Sequence, residues 1–70
     1  MTDIAIYSEY IKLDAFLKFC GAAGTGGEAK NRIADGAVSV NGEVCTQRGK
    51  KLRDGDRVAL GAEEYRVKHA

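Results

Sequence analysis

The stretch from Thr25 to Gly42 reads TGGEAKNRIADGAVSVNG, and its first half carries the start and stop signals of a helix. Thr25 followed three residues later by Glu28 forms a capping box, because the threonine oxygen can accept from the Glu28 amide and the glutamate can return a bond. Gly36 lies where a left-handed residue would end the helix, and glycine adopts that conformation without steric cost. The sequence therefore predicts a short helix that starts at Thr25 and ends at Gly36.

The second half of the stretch predicts a hairpin. Residues 38–40 alternate between apolar and polar side chains, Asn41-Gly42 is the strongest two-residue turn signal, and residues 43–46 run back. Residues 47–53 follow without any apolar periodicity, so they are predicted to form a loop.

Two further strands are predicted near the carboxyl end. Asp54-Gly55 marks a turn, after which Val58 and Leu60 share one face of a strand. A last strand continues the alternation with Tyr65 and Val67 on one face, which leaves the basic side chains between and after them on the solvated face.

The residues before Thr25 predict an edge strand and a first helix. Residues 4–7 have extended character, and an apolar stripe at helical spacing then runs from Leu13 to a helix end near Gly21 or Gly24. The stripe consists of Leu13, Phe16, Leu17 and Cys20. We therefore predict one α+β domain over residues 1–70, in which two short N-terminal helices pack on a small, curled, mainly antiparallel sheet.

Composition limits the class of protein. The chain has 70 residues, of which 44% are hydrophobic and 30% charged, as in an ordinary folded domain with little room for a substrate pocket. Residues 1–10 do not have the pattern expected of a secretory signal and no segment has the length of a membrane span, so we expect a cytoplasmic monomer without a small-molecule substrate. Two cysteines and one histidine cannot supply four zinc ligands, and no cofactor is predicted. Cys20 and Cys45 are expected to be small core residues in a reducing compartment.

The basic residues are concentrated in the middle of the chain. Net charge is only +1, but residues 30–53 hold six basic and two acidic side chains, which gives that segment a net charge of +4. Arg48, Lys50, Lys51 and Arg53 lie within six residues, with Gly49 among them. Such a loop suits a phosphate backbone, and it is equally compatible with a solvated surface loop.

The glycines around Thr25 allow two interpretations. Gly24, Gly26 and Gly27 open a helix, whose unpaired amides attract phosphate, or they only permit a tight turn between two packed helices. A P-loop is not indicated, because the Lys-Ser/Thr ending is missing and no strand precedes the glycines. Lys30 and Arg32 lie about 200° apart on the helix, so only one is expected to point fully outward.

Lys12 immediately precedes the first helix. A cation at this end of a helix interacts unfavourably with the helix dipole, so a lysine here is more easily explained if it binds an external anion.

No set of residues predicts catalysis. Cys20 is expected to be buried, His69 is next to last, and acids such as Asp54 and Asp56 look like turn positions, so we do not predict an enzyme. The five aromatic residues mostly fall on apolar patterns, which argues against a stacking platform for single-stranded nucleic acid.

Taken together, these elements resemble the S4 RNA-binding domain, a small module that presents an alpha-L surface to structured RNA. Lys12-Leu13-Asp14 followed by Phe16-Leu17 is similar to the opening of that family, and Thr25–Gly42 is similar to its central helix and hairpin. Asp54–Val58 resembles its Gly-Asp turn into a strand. The Gly26–Lys30 and Arg48–Lys51 segments are most similar to the small stand-alone bacterial members of the YbcJ/YaaA type.

The resemblance implies a non-catalytic module that binds folded RNA such as ribosomal RNA or transfer RNA. Many family members carry Ser-Arg where this chain has Thr25-Gly26, so one arginine contact is missing, and Lys30 and Arg48 are the candidates to replace it. The predicted RNA-binding residues are Lys12, Thr25, Gly26, Gly27, Lys30, Arg32, Arg48, Lys50, Lys51 and Arg53.

Two other functions remain open at this point. A protein-interaction module could dock an acidic partner on the same basic surface, and its complex would survive nuclease treatment. Binding of double-stranded DNA is the other alternative, and it would require equal affinity for duplex DNA and folded RNA at the same salt concentration.

Overall fold

The computed structural model describes residues 1–70, with two helices and seven strands. In chain order these are β1 (Thr2–Ile6), β2 (Ile11–Lys12), α1 (Leu13–Phe19), α2 (Gly26–Ala34), β3 (Val38–Val40), β4 (Glu43–Val44), β5 (Lys51–Leu52), β6 (Arg57–Leu60) and β7 (Glu63–His69). The α+β class is confirmed. The helices are not the first elements of the chain, because the predicted edge strand β1 and the short strand β2, which was not predicted, precede them. Neither helix has the length and apolar character that a membrane span requires.

Five of the strands form the main sheet, in the order β1-β7-β6-β3-β4. Its pairs are antiparallel except for β1 and β7, which run parallel with Ile4 opposite Val67. The prediction of a mainly antiparallel sheet is therefore confirmed. The edge strand predicted over residues 4–7 is β1, which starts earlier and ends at Ile6.

The helices and the sheet share one apolar core. Every buried side chain in the chain is hydrophobic, and no buried side-chain polar atom lacks a partner. The predicted helical stripe supplies the three α1 residues that are fully buried. The largest fully buried side chains are Phe16, Leu13, Leu17, Ile33, Leu52, Val38, Val58 and Val67. Burial of these apolar side chains opposes the conformational entropy lost on folding.

Two expectations about core residues need correction. Tyr7 is 83% exposed and Phe19 is 59% exposed, so these two aromatic residues are not core residues. Phe19 lies at the last position of α1, one residue before the stripe residue Cys20, and it therefore points away from the buried face. Cys20 and Cys45 are free thiols that pack against the core while remaining only partly buried.

The predicted turn chemistry is present. Thr25 caps α2, and Gly36 follows the helix with a φ of +77°. Asn41 and Gly42 have φ values of +53° and +85°, the double positive φ of the type I′ turn that matches the twist of a hairpin. The returning strand β4 is shorter than predicted, because only residues 43 and 44 pair with β3.

The loop predicted over residues 47–53 contains a strand instead. Lys51 and Leu52 form β5, which pairs antiparallel with β2 to make a separate two-stranded sheet. Leu52 is opposite Ile11 and is fully buried, although charged residues flank it on both sides. The segment has no apolar periodicity, and the single apolar side chain of Leu52 therefore anchors it to the core.

Candidate nucleic-acid interface

Backbone hydrogen bonds hold the basic segment against the start of α1. The Leu13 amide donates to the Lys50 carbonyl at 2.9 Å, and the Asp14 amide donates to the Arg48 carbonyl at 3.1 Å. These are the first amides of the helix, which have no acceptor within the helix itself. The segment therefore satisfies the N-terminus of α1, and its own conformation is fixed by the same bonds.

The β2–β5 pairing adds Lys12 to the basic residues of this segment. Lys12 is directly opposite Lys51 in the antiparallel ladder, and both side chains are exposed. Like charges in directly opposite positions destabilise a sheet unless an anion lies between or near them. We name the exposed side chains that the structure gathers here the basic cluster: Lys12, Arg48, Lys50, Lys51 and Arg53.

Tyr10 and Glu9 lie beside the basic cluster, and the sequence did not identify either residue. The Lys51 Nζ atom is 4.8 Å from the centroid of the Tyr10 ring, and the Arg53 guanidinium carbon is 5.5 Å from it. Arg53 also forms an ion pair with Glu9 at 3.4 Å. The aromatic ring thus orients two of the five cations through cation–π attraction. Sequence gave no signal for these contacts, since they depend on the β2–β5 pairing.

The start of α2 carries the other predicted residues. Thr25 Oγ1 accepts from the Glu28 amide at 3.1 Å, as the capping box predicts. Glu28 returns its bond to the Gly24 amide at 3.2 Å rather than to Thr25, so that part of the prediction is wrong by one residue. The amides of Gly26 and Gly27 donate to no acceptor in the protein. Two backbone donors are therefore available at this helix end.

The glycines at this helix end are not required by the fold. A Cβ atom at Gly26 would meet nothing within 4 Å, and one at Gly27 would be 3.9 Å from Thr25 Oγ1, an ordinary contact. Neither glycine has a positive φ; in this connection the positive φ belongs to Gly21. The tight-turn interpretation therefore applies to Gly21 and not to Gly26 or Gly27.

The two basic residues of α2 differ in their partners. Arg32 is bound to Glu28 by two hydrogen bonds, from Nε at 3.2 Å and from Nη2 at 3.1 Å. Lys30 has no ion-pair partner. It lies four residues, or one helical turn, after Gly26, and residues at this spacing are neighbours on one face of a helix. Both side chains are exposed, so the expectation that only one would point outward is wrong.

The structure thus brings the predicted residues together in two groups. The basic cluster surrounds the start of α1, and Lys30 lies beside Thr25, Gly26 and Gly27 at the start of α2. No hydrogen bond or ion pair joins the two groups. Both lie on a molecule whose extents are 30 × 21 × 18 Å.

Glu28 makes the start of α2 sensitive to pH. Its pKa is lowered by the hydrogen bond from the Gly24 amide and then by Arg32. A carboxylate with a lowered pKa stabilises the folded state fully at pH values above its unfolded-state pKa of about 4.3. This contribution is lost as the pH falls through the lower pKa of the folded state. We expect the melting temperature to fall in acid and to fall less in Glu28→Gln. Thermal melts of both proteins across this pH range measure the effect. An equal fall in melting temperature in the two proteins would contradict the expectation.

The residues that were considered for catalysis have other roles in the structure. Burial raises the pKa of the Cys20 thiol, which keeps it in the unreactive protonated form. Asp54 accepts from the His69 amide at 2.8 Å, and Asp56 accepts from the Arg53 amide at 2.8 Å. The Asp56 bond closes the predicted turn, whereas Asp54 lies in that turn and its bond ties the turn to β7. Nowhere in the chain do three metal-ligating side chains converge.

Comparison with known proteins agrees with this architecture. A family model described as the S4 domain matches residues 4–68. The "Probable ribosome maturation protein RlbA" of Bacillus subtilis (strain 168) is 40% identical over 57 residues, which cover 81% of this chain and 80% of that protein.

A solved structure extends the comparison to the fold. The solution structure of YbcJ from E. coli, described as having an alpha-L motif involved in RNA binding, superposes with a TM-score of 0.74. The two proteins are 29% identical, and the match covers 97% of this chain and 87% of YbcJ. With the helix pair, the sheet and the family match in agreement, this chain belongs to the S4 domain family.

Proposed function

We propose that this protein binds structured RNA, with ribosomal RNA as the first candidate, and that it does so as a non-catalytic module. The observation that carries the proposal is the basic cluster, in which Lys12 and Lys51 are held opposite each other on a two-stranded sheet. In the protein without a ligand, the repulsion between the two lysine side chains only destabilises the sheet. A bound phosphate backbone would relieve this repulsion.

The start of α2 supplies a second phosphate contact in this proposal. The unpaired amides of Gly26 and Gly27 are donors at the positive end of the helix dipole, and Lys30 adds a full charge one turn away. Because the two glycines lack side chains, a sugar-phosphate backbone can approach these amides closely. RNA contacted in this way is recognised by shape more than by base sequence.

The comparisons support RNA over the two alternatives. YbcJ is described as having a motif involved in RNA binding, and the Bacillus relative is named a probable ribosome maturation protein. On this basis we assign the ten predicted contact residues to RNA and keep ribosomal RNA as the first ligand to test.

A salt titration tests the proposal. The affinities of the wild-type protein for a ribosomal RNA hairpin and for a DNA duplex of matched length are measured between 50 and 200 mM salt. We expect tighter binding to the RNA hairpin and a linear fall of log affinity with log salt, because counterions are released from each contacted phosphate. Equal affinity for the two ligands would favour the DNA alternative, and a nuclease-resistant complex with a protein would favour the docking alternative.

Substituting the α2 glycines should separate stability from binding. We expect the double variant Gly26→Ala, Gly27→Ala to be as stable as wild type or more stable by up to about 1 kcal/mol for each change, since alanine is the better helix former. RNA affinity should fall roughly tenfold, because the two methyl groups keep the phosphate away from the amides. Urea unfolding and RNA binding are measured on the same preparation.

The opposite change at the same position is the matched control. Gly26→Arg places an arginine where many family members have one, and the space around the Gly26 Cβ position is open. We expect this variant to bind RNA more tightly than wild type, because the guanidinium supplies a charged phosphate contact that outweighs the loss of access to the amide. If both the alanine and the arginine variants bound like wild type, the start of α2 would not contact RNA.

A further inference from the structure

A groove lies beside the basic cluster, between the β3–β4 hairpin and the segment that leads to β5. It has a volume of about 460 Å³, and the proposed phosphate contacts leave it unused. Val40, Val44 and Cys45 contribute apolar surface to it, while Glu43, Gln47 and Lys50 contribute polar groups. Because Lys50 belongs to both the groove and the basic cluster, a ligand in the groove would lie directly next to the proposed path of the RNA backbone.

The groove combines the two surfaces that an unpaired base needs. Val40 and Cys45 form the apolar floor of the groove on the same face of the hairpin as Glu43, because Val40 is the cross-strand partner of Glu43 and Cys45 lies two residues beyond it. The side chains of Glu43 and Gln47 are exposed and form no hydrogen bond or ion pair within the protein. Unpaired bases in folded RNA are bound in this way, by packing of the ring and hydrogen bonds to its edge.

Glu43 indicates which base would bind. A carboxylate near a phosphate path is repulsive, so it needs a ligand group that donates hydrogen bonds. Among bases, guanine presents an imino and an amino N–H side by side, and these match the two oxygens of one carboxylate. Uracil presents a single N–H between two carbonyl oxygens, which the carboxylate would repel.

We propose that this groove binds one unpaired guanine of the RNA, with Glu43 accepting from its imino and amino groups and with Val40 and Cys45 packing against its ring. The inference rests on the proposed function, because the groove is placed by the same segment that carries the basic cluster. Gln47 is the second polar group at the edge of the base, and Lys50 binds the adjoining phosphate.

The test uses three RNA hairpins with one common stem: fully paired, with a single bulged guanine, and with a single bulged uracil. Dissociation constants are measured for the wild type and for Glu43→Gln. The wild type should bind the guanine bulge about tenfold more tightly than the paired hairpin, as expected for one bidentate base contact, and the uracil bulge should show little gain. In Glu43→Gln the ratio between guanine bulge and paired hairpin should approach one.

Glu63→Gln is the control, since Glu63 is an exposed, unpaired glutamate at the start of β7 and its loss changes net charge equally. It should keep the guanine preference. Equal affinity for guanine and uracil bulges, or a Glu43→Gln variant that retains the preference, would overturn the inference while leaving RNA binding in place. Failure of every hairpin to bind would instead overturn the proposed function and the groove inference with it.

Discussion

A triple variant carrying Arg48→Ala, Lys50→Ala and Lys51→Ala should bind an RNA hairpin about a hundredfold more weakly than the wild type. Each lost charge contact costs on the order of 1 kcal/mol, and the three losses come from one cluster on the surface. The slope of log affinity against log salt should flatten by up to about 0.9 for each phosphate contact removed. Fold stability should change little, because all three side chains are exposed and form no ion pair.

A second triple variant controls for the loss of charge alone. Lys18, Arg57 and Lys68 are exposed, form no ion pair and lie outside the basic cluster, and their replacement by alanine changes the net charge by the same amount. We expect this control to weaken RNA binding far less than the cluster variant. Equal losses in the two triple variants would mean that the RNA responds to net charge and not to the basic cluster.

Leu52→Ala should lower the free energy of unfolding by about 2–5 kcal/mol, the range for truncating a fully buried leucine. Total stability for a domain of this length is on the order of 5 kcal/mol, so the variant should be largely unfolded near physiological temperature. RNA binding should be lost with the fold, because β5 carries Lys51 and precedes Arg53. Urea unfolding followed by circular dichroism measures the change.

Two milder substitutions make the Leu52 result interpretable. Leu52→Met nearly conserves volume and should cost less than about 1.5 kcal/mol, which keeps the protein folded for binding measurements. Val44→Ala removes an aliphatic side chain that is 64% exposed and should change stability by no more than about 0.5 kcal/mol. A Leu52→Ala variant as stable as Val44→Ala would show that β5 is not anchored by this side chain.

The sequence predicted those parts of the fold that depend on local chemistry. The cap at Thr25, the helix end at Gly36 and the Asn41-Gly42 turn each follow from backbone preferences of a few neighbouring residues. The apolar stripe of α1 follows from helical periodicity. For the same reason the family resemblance was visible without a structure, because it rests on short motifs in a fixed order.

The sequence predicted the composition of the candidate site but not its arrangement in space. Its basic residues could be counted, but their arrangement depends on bonds between segments about 35 residues apart, such as Leu13 with Lys50 and Asp14 with Arg48. The roles of Glu9 and Tyr10 likewise depend on where Arg53 and Lys51 lie in space.

The amino-acid sequence by itself therefore determined the two helices, the hairpin and the charge of the middle segment, since local interactions specify each of them. Only the tertiary structure decided that residues 51–52 form a strand, that Lys12 is opposite Lys51 and that β1 pairs in parallel with β7. The physical reason is that a strand of two residues has no periodicity of its own. It forms because one leucine side chain is buried in the core and because backbone groups distant in sequence need hydrogen-bond partners.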